Sequence, residues 1–328
     1  MALKEKYKKI IPYNIRIFIG KIIFVLRFPL KHINVCYNYI LHNRDKFINT
    51  VSFVAIIKNE RAYIKEWLEY HKLVGVDKFI IYDNNSTDNL KEILQPYIDT
   101  NEVDYIFYPK IQADFEKKGK KAEYWAFQAY AYNDAIKKYR NKSKWIGFID
   151  IDEFVVPVEE NNIIDVINEI EKNVMKGRMF VGLAVNWVMY GFSGHREKPQ
   201  GLVIENFTRN DGVYKGIKSI VNPRTVIQYQ VHAGLHFFKI EVVNEQGKKA
   251  YTPNILQASI EKIRINHYYT KSYEEYTQKI IKSRTGWPRA EKYNLPEYDP
   301  DYLSHKDDTI MDKYIQKVKD SLKRHNYK

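Results

Sequence analysis

Cysteine is almost missing from this chain: Cys36 is the one thiol among 328 residues, which excludes an internal disulfide and a cysteine-built metal site. A membrane-spanning run is missing too. The apolar stretch from Ile15 to Leu30, IRIFIGKIIFVLRFPL, is interrupted by Arg16, Lys21 and Arg27, and it falls short of the roughly 20 predominantly apolar residues that hydrocarbon requires. Pro29 and the basic KHINV after it lack a small-residue cleavage pattern, so the stretch does not read as a signal peptide. There is no internal repeat, no low-complexity linker, and no zinc-finger or RNP motif of the kind that accompanies nucleic-acid binding.

What is present is a globular composition, 45% hydrophobic and 28% charged, with 27 tyrosines and a net charge of +13. The length suffices for one large core. The charge is uneven, because the first fifty residues hold ten Lys or Arg against only Glu5 and Asp45. Residues 1–50 therefore read as a basic N-terminal segment. Its stretch 15–30 is either an amphipathic element lying on an anionic membrane face or a helix packed on the core.

From Val51 onward, short apolar segments alternate with helical spacing. VSFVAII, KFIIY, VDYIFY and WIGFI read as buried strands at residues 51–57, 78–82, 103–108 and 145–149. Between the first two, Ile64, Trp67, Leu68, His71 and Val74 recur at helical spacing, and Gly75 supplies a stop. Ser86-Thr87-Asp88 is expected to open a second helix, and residues 123–139 make a third. Such alternation implies an α/β fold with a mostly parallel sheet covered by helices on both faces. Ligands bind such sheets at the carboxyl ends of the strands, where Asn59, Asp83 and Asp150 fall. Residues 51–300 are expected to form one domain, with a first half at 51–157 and a second at 158–300. Residues 301–328 add a basic amphipathic helix, with Met311, Tyr314, Ile315, Val318 and Leu322 on one face.

The segment WIGFIDIDEFVV (145–156) runs an apolar strand into Asp150, Asp152 and Glu153. In a continued strand Asp150 and Asp152 share a face. Adjacent carboxylates repel, which favours a raised pKa or a bound cation, and hard oxygen ligands suit Mg²⁺ or Mn²⁺. The alternative is a strand ending in a polar turn. His232 and His236, two apart, form a second possible metal pair, though nothing nominates their further ligands.

FIDIDEFVVP, the upstream Gln128 and Asn133, NWVMYGFSGH (186–195), KSIVNP (218–223) and NHYYTKSYEEYTQK (266–279) together resemble glycosyltransferase family 92 and its bacterial relatives in the broad family 2 group. The resemblance covers about residues 51–284. It implies a GT-A fold that binds a nucleotide sugar, UDP-linked foremost, and transfers the sugar to a glycan or lipid-linked acceptor with inversion. Asp83 would accept hydrogen bonds from the nucleotide, with Asn59 and Glu60 lining the same pocket. Asp150 and Asp152 would hold Mn²⁺ or Mg²⁺ on the diphosphate, with His267 as a further ligand or, alternatively, a core histidine. Lys218 and Lys271 would offset phosphate charge, and Glu153 would support the turn. The acceptor needs a carboxylate base, for which Glu197, Glu205 and Asp211 are candidates. Trp187, Tyr190 and Phe192 are candidates for stacking on a sugar ring. A role in cell-envelope polysaccharide synthesis implies a cytoplasmic location, peripheral on the inner face of the membrane. The competing readings are a nucleotidyltransferase and a non-catalytic membrane- or nucleic-acid-binding protein on a transferase scaffold.

Overall fold

The computed structural model describes residues 30, 32–37, 39, 46–108, 124–232, 234–236, 240–250, 254, 255, 257–286 and 297–326. The expected amphipathic stretch at 15–29 lies outside them. Of the N-terminal segment, residues 32–37 are helical.

Four parallel strands come first, joined by helices: β1 (Asn49–Ile57), α1 (Ile64–Leu73), β2 (Lys78–Asp83), α2 (Leu90–Asp99), β3 (Val103–Phe107), α3 (Tyr124–Tyr139) and β4 (Ser143–Phe148). Period-two alternation sorts their side chains between two cores. Phe53, Ala55, Phe79 and Ile81 pack on one face with Trp67, Leu94 and Tyr97. Val54, Ile56, Ile80 and Tyr82 pack on the other with Tyr132, Ala135 and Ile136 of α3. Gly75 ends α1 as expected, at φ +95 where a side chain would be strained. The second helix starts at Leu90, later than Ser86-Thr87-Asp88 suggested, because Ser86 Oγ and Asp88 Oδ2 accept from backbone N–H groups of the loop after β1 and Asn89 enters the left-handed region.

The second half contains β5 (Glu153–Pro157), α4 (Ile163–Glu169), β6 (Gly182–Tyr190), α5 (Val203–Asn206), β7 (Arg209–Val221), β8 (Val226–Tyr229), β9 (Gly234–His236), β10 (Ile263–His267), α6 (Tyr273–Gly286), β11 (Lys306–Asp307) and α7 (Asp312–Asn326). The large sheet runs β3-β2-β1-β4-β7-β6-β10-β5, with β11 on β7. It is parallel from β3 to β4, but β4 to β7, β7 to β6 and β10 to β5 are antiparallel. The expected mostly parallel sheet is therefore a mixed one. No long helix intervenes between β6 and β7, so the chain folds back on itself there, whereas a parallel pair requires a crossover.

β4 and β5 are consecutive in the chain but four places apart in the sheet. Four strand spacings amount to about 19 Å. The five steps from Phe148 to Glu153 reach about 17 Å when fully extended, so the sheet has to curl for the connection to close. The turn carrying Asp150 and Asp152 spans the mouth of that curl.

β5 lies at the end of the sheet, and α1 covers its free edge. Trp67 Nε1 donates to the Glu153 carbonyl at 2.9 Å and Tyr70 OH to the Val155 carbonyl at 3.1 Å. Val155 N–H donates to His71 Nε2 at 3.1 Å. Burial holds the His71 imidazole neutral, its pKa lowered to about 3. An edge that would otherwise recruit another strand is closed by three side chains of one helix.

The C-terminal helix α7 is integral to the core. Met311, Tyr314 and Val318 are buried, Tyr314 packs edge-on to Tyr70 at 5.1 Å, and Ser321 Oγ donates to Glu69. Residues 302–304 press directly on the end of β6, where a Cβ on Gly191 would sit 1.8 Å from the Tyr302 carbonyl oxygen. Gly191→Ala is expected to cost about 3 kcal/mol, the upper end for overpacking against backbone, measured as a lowered urea midpoint. Faster proteolysis between 297 and 308 should accompany it.

Candidate active site

β4 stops at Phe148, and residues 149–152 form a turn before β5 begins at Glu153. Asp150 and Asp152 therefore do not share a strand face, as a continued strand would have required. Glu153 N–H closes the turn on the Asp150 carbonyl at 3.1 Å, and Tyr268 N–H donates to the Asp152 carbonyl at 2.8 Å. The Glu153 carboxylate points back beneath the turn and accepts from Asp150 N–H at 2.9 Å. It is wholly buried, which with the neighbouring Asp150 raises its pKa to about 7 against the pull of Lys218.

Each aspartate has its own partners. Asp150 Oδ2 takes Lys218 Nζ at 2.7 Å, and Oδ1 lies 3.3 Å from Gln128 Nε2 and 3.5 Å from Tyr132 OH. Lys218 also lies 3.6 Å from Glu153. Its side chain is 1% exposed. Its partners here are two carboxylates, which hold its pKa well above the usual range against the effect of burial.

Asp152 faces the other way, toward Lys279, Lys271 and His267. Its Oδ2 accepts from Lys279 Nζ at 2.9 Å, and its Oδ1 lies 3.6 Å from His267 Nε2. Burial pushes this carboxyl up, but Lys279, His267 and Lys271 outweigh it and hold it well below the ordinary carboxylate range. His267 reaches this point because β10 pairs with β5 in the register that sets His267 opposite Glu153. Its Nδ1 is buried with no hydrogen-bond partner among the described residues.

Lys271 sits with its ammonium 3.9 Å from the Tyr63 ring centre and has φ 52, a strained conformation for a residue with a side chain. Burial lowers its pKa, and Glu60 and Asp152 partly offset that. Glu60, half-buried at the end of β1, has its pKa raised to about 7 by burial, against the opposing field of Lys271. Glu60, Lys271, Lys279, Asp152 and His267 thus share one electrostatic neighbourhood drawn from both halves of the chain.

The loops after β1 and β2 are laced together. Asn59 N–H donates to Ser86 Oγ at 2.9 Å, Thr87 N–H to Asn59 Oδ1 at 2.8 Å, and Arg61 N–H to Asp88 Oδ2 at 2.9 Å. Asp83 is buried, with Oδ1 accepting from Ser86 N–H at 2.8 Å and Oδ2 from Tyr105 OH at 2.5 Å. Asp83 shapes this loop, while Ser86 and Asp88, expected to open the second helix, bond the loop after β1.

The three candidate bases are engaged elsewhere. Asp211 pairs with His305 at 2.7 Å, Glu205 pairs with Lys319 of α7, and Glu197 lines a surface cleft with Arg196, Tyr273, Glu274 and Thr277. No hydrogen bond or ion pair among the described residues ties any of them to Asp150, Asp152 or His267. His232 and His236 also diverge: His232 Nδ1 donates to the Ile217 carbonyl at 3.1 Å, and His236 Nδ1 meets Thr225 Oγ1 at 2.7 Å. Tyr190 and Phe192 are buried, which removes them as sugar platforms. Lys279 is the site residue that sequence reasoning missed. Its signal was its place one turn after Glu275 on α6, within the tyrosine-rich block that supplied His267 and Lys271.

Among the described residues no cluster of three or more His, Cys, Asp or Glu side chains is assembled. Asp152 and His267 nevertheless converge as a hard oxygen and an imidazole nitrogen. That donor set fits a divalent cation which completes its shell with water and substrate phosphate.

Paired acids on a turn at the strand ends of an α/β sheet, with Lys218, Lys271 and Lys279 around them, make up the candidate site. The chain belongs to glycosyltransferase family 92, whose model matches residues 50–325. A family 92 protein of Oryza sativa subsp. japonica is 25% identical over 74% of this chain and 37% of its own length. The galactan β-1,4-galactosyltransferase GALS2 of Arabidopsis thaliana is 25% identical over 57% of this chain and 36% of its own length. The chain spans little more than a third of these curated relatives. Both are plant proteins and lend no support to a bacterial origin. Among solved structures, Staphylococcus aureus TarS 1–349 in complex with UDP aligns with a TM-score of 0.32 at 10% identity, over 74% of this chain and 68% of that one.

Proposed function

We propose that this chain transfers a sugar from a nucleotide donor, UDP-linked, to a glycan or lipid-linked acceptor, with inversion and with dependence on Mn²⁺ or Mg²⁺. The observation that carries the reading is the convergence of Asp152 and His267 at 3.6 Å beside Lys279 and Lys271, in a family 92 chain. Asp152 and His267 would hold the cation, which when bound stabilises the departing nucleoside diphosphate. Lys271 and Lys279 lie where they offset the remaining phosphate charge. Asp150, fixed by Lys218 and Gln128, holds the turn in register. Asn59 and Glu60 form the wall toward the nucleotide, over the loop that Asp83 shapes. The basic segment 1–50 belongs to the same proposal as a peripheral membrane contact on the cytoplasmic face. Among the described residues no helix is long and apolar enough to cross a membrane.

The test is release of nucleoside diphosphate from a panel of UDP-sugars, UDP-galactose first because of the galactosyltransferase relative, with Mn²⁺, Mg²⁺ or EDTA. Release that EDTA lowers by at least about a hundredfold is expected. Pyrophosphate in place of nucleoside diphosphate would establish the nucleotidyltransferase alternative. Tight binding to RNA or anionic vesicles without turnover of any donor would establish the non-catalytic one.

A further inference from the structure

β6 and β7 pair in register from Gly182 opposite Val221 to Asn186 opposite Ile217, and then the register breaks: Trp187 faces Tyr214. One step along β6 is matched by three along β7, so Lys215 and Gly216 bulge out of the ladder. A buried asparagine holds the bulge open. Asn186 Nδ2 donates to the Tyr214 carbonyl at 3.2 Å and lies 3.4 Å from that of Gly216, while its Oδ1 accepts from Ser259 N–H at 3.2 Å. Gly216 leaves room for the indole to lie flat across β7, since a Cβ there would stand 2.2 Å from Trp187 Cε3. Bulges re-aim side chains beside active sites.

The product of this bulge is an aromatic platform. The Trp187 and Tyr214 rings are nearly parallel, 16° apart with centroids at 6.1 Å. The inner ring abuts His267 at 5.0 Å, and the outer ring, on Tyr214, is 53% exposed. An exposed tyrosine held parallel to a tryptophan presents a flat apolar face with a hydroxyl at its rim. That matches a pyranose ring, whose C–H face needs apolar cover while its equatorial hydroxyls stay wet. Its position selects which sugar. The platform stands on β6 and β7, separated by β4 from β1 and β2, whose following loops carry the proposed nucleotide wall of Asn59 and Glu60.

We propose that Trp187 and Tyr214 form a subsite that stacks a pyranose ring of the acceptor glycan. This rests on the transferase reading for the word acceptor, but the stacking itself does not require turnover. Tyr214 is exposed, so its truncation leaves the fold intact. The experiment compares the full chain with Tyr214→Ala and Tyr214→Phe in two separate measurements. Saturation-transfer NMR follows binding of β-1,4-galactotetraose, cellotetraose and methyl β-D-galactopyranoside, and calorimetry follows binding of UDP with Mn²⁺. Saccharide binding by the parent chain is expected, weakened about tenfold in Tyr214→Ala and kept in Tyr214→Phe, with UDP affinity equal in all three. Equal saccharide binding in Tyr214→Ala, or none of the saccharides binding the parent, overturns the platform. A fall in UDP affinity with saccharide binding unchanged overturns it in favour of a base-stacking surface. Saccharide binding that behaves as expected in a chain that never binds UDP leaves the platform standing and defeats the donor reading instead.

Discussion

Asp152→Asn is expected to lower metal-dependent nucleoside diphosphate release by about a thousandfold, some 4 kcal/mol of transition-state stabilisation. The substitution keeps the shape and removes the charge. In the folded chain that charge faces Lys279 at 2.9 Å and His267 at 3.6 Å, with Lys271 close enough to lower its pKa. An amide is a poorer ligand than a carboxylate for a divalent cation beside Lys279 and Lys271, and its NH₂ is the wrong partner for Lys279. The loss should appear in turnover and in Mn²⁺ affinity alike, read by product release and by electron paramagnetic resonance titration. The fold should survive, because the side chain is 18% exposed and water can take part of the load. Full turnover in Asp152→Asn would remove Asp152 from the chemistry and with it the proposed metal role.

Lys218→Met is expected to have the largest effect on stability, a loss of about 3–5 kcal/mol, the cost of breaking a buried ion pair by removing one partner. Two carboxylates depend on that ammonium: Asp150 at 2.7 Å and Glu153 at 3.6 Å, the latter with no exposed surface. The pH dependence has a definite sign. The Glu153 pKa in the folded chain is raised to about 7, above its ordinary 4.5, so its protonation relieves the folded state as pH falls through 7 and its charge burdens the fold above that. Without Lys218 the pKa rises further, so the deficit of Lys218→Met should be larger at pH 8 than at pH 6. Adding Glu153→Gln should recover part of it, because a neutral side chain no longer needs the ammonium. Urea midpoints of the parent, both single variants and the double variant measure all of this. A Lys218→Met chain as stable as the parent would mean that the pair is worth no more than its desolvation cost.

The parallel half was legible because β1, β2 and β4 are buried on both faces and written as nearly continuous apolar runs, with β3 half-buried at the edge. Phe53, Ile80 and Ile146 announce their environment without reference to any distant residue. The site was legible in residue type and less so in partnership. Asp150, Asp152, His267, Lys218 and Lys271 were all nominated, and the fold brings them to one turn. It divides them differently: Lys218 lies under Asp150 as a buried counter-ion, whereas the unnominated Lys279 meets Asp152. Tyr190 and Phe192 looked like Trp187 in the sequence. The C-terminal segment covers the first two, with Tyr190 donating to Asp308 at 2.8 Å and Phe192 stacked on Tyr302 at 5.3 Å. The two-residue bulge in β7 leaves Trp187 against His267 instead.

The sequence by itself determined the alternating strands and helices, the missing disulfide framework, the uneven basic charge and the set of ionisable residues from which a site could be made. Those properties depend on neighbours a few positions away, through side-chain periodicity and composition. The tertiary structure alone decided that the strand breaks after Phe148, that the sheet is mixed and curled, and which cation each carboxylate faces. Lys218 is 68 positions from Asp150, and Lys279 is 127 from Asp152. Pairing over such separations is set by strand order and register, which no local pattern encodes, and buried charges take whichever partner the completed sheet brings within about 4 Å.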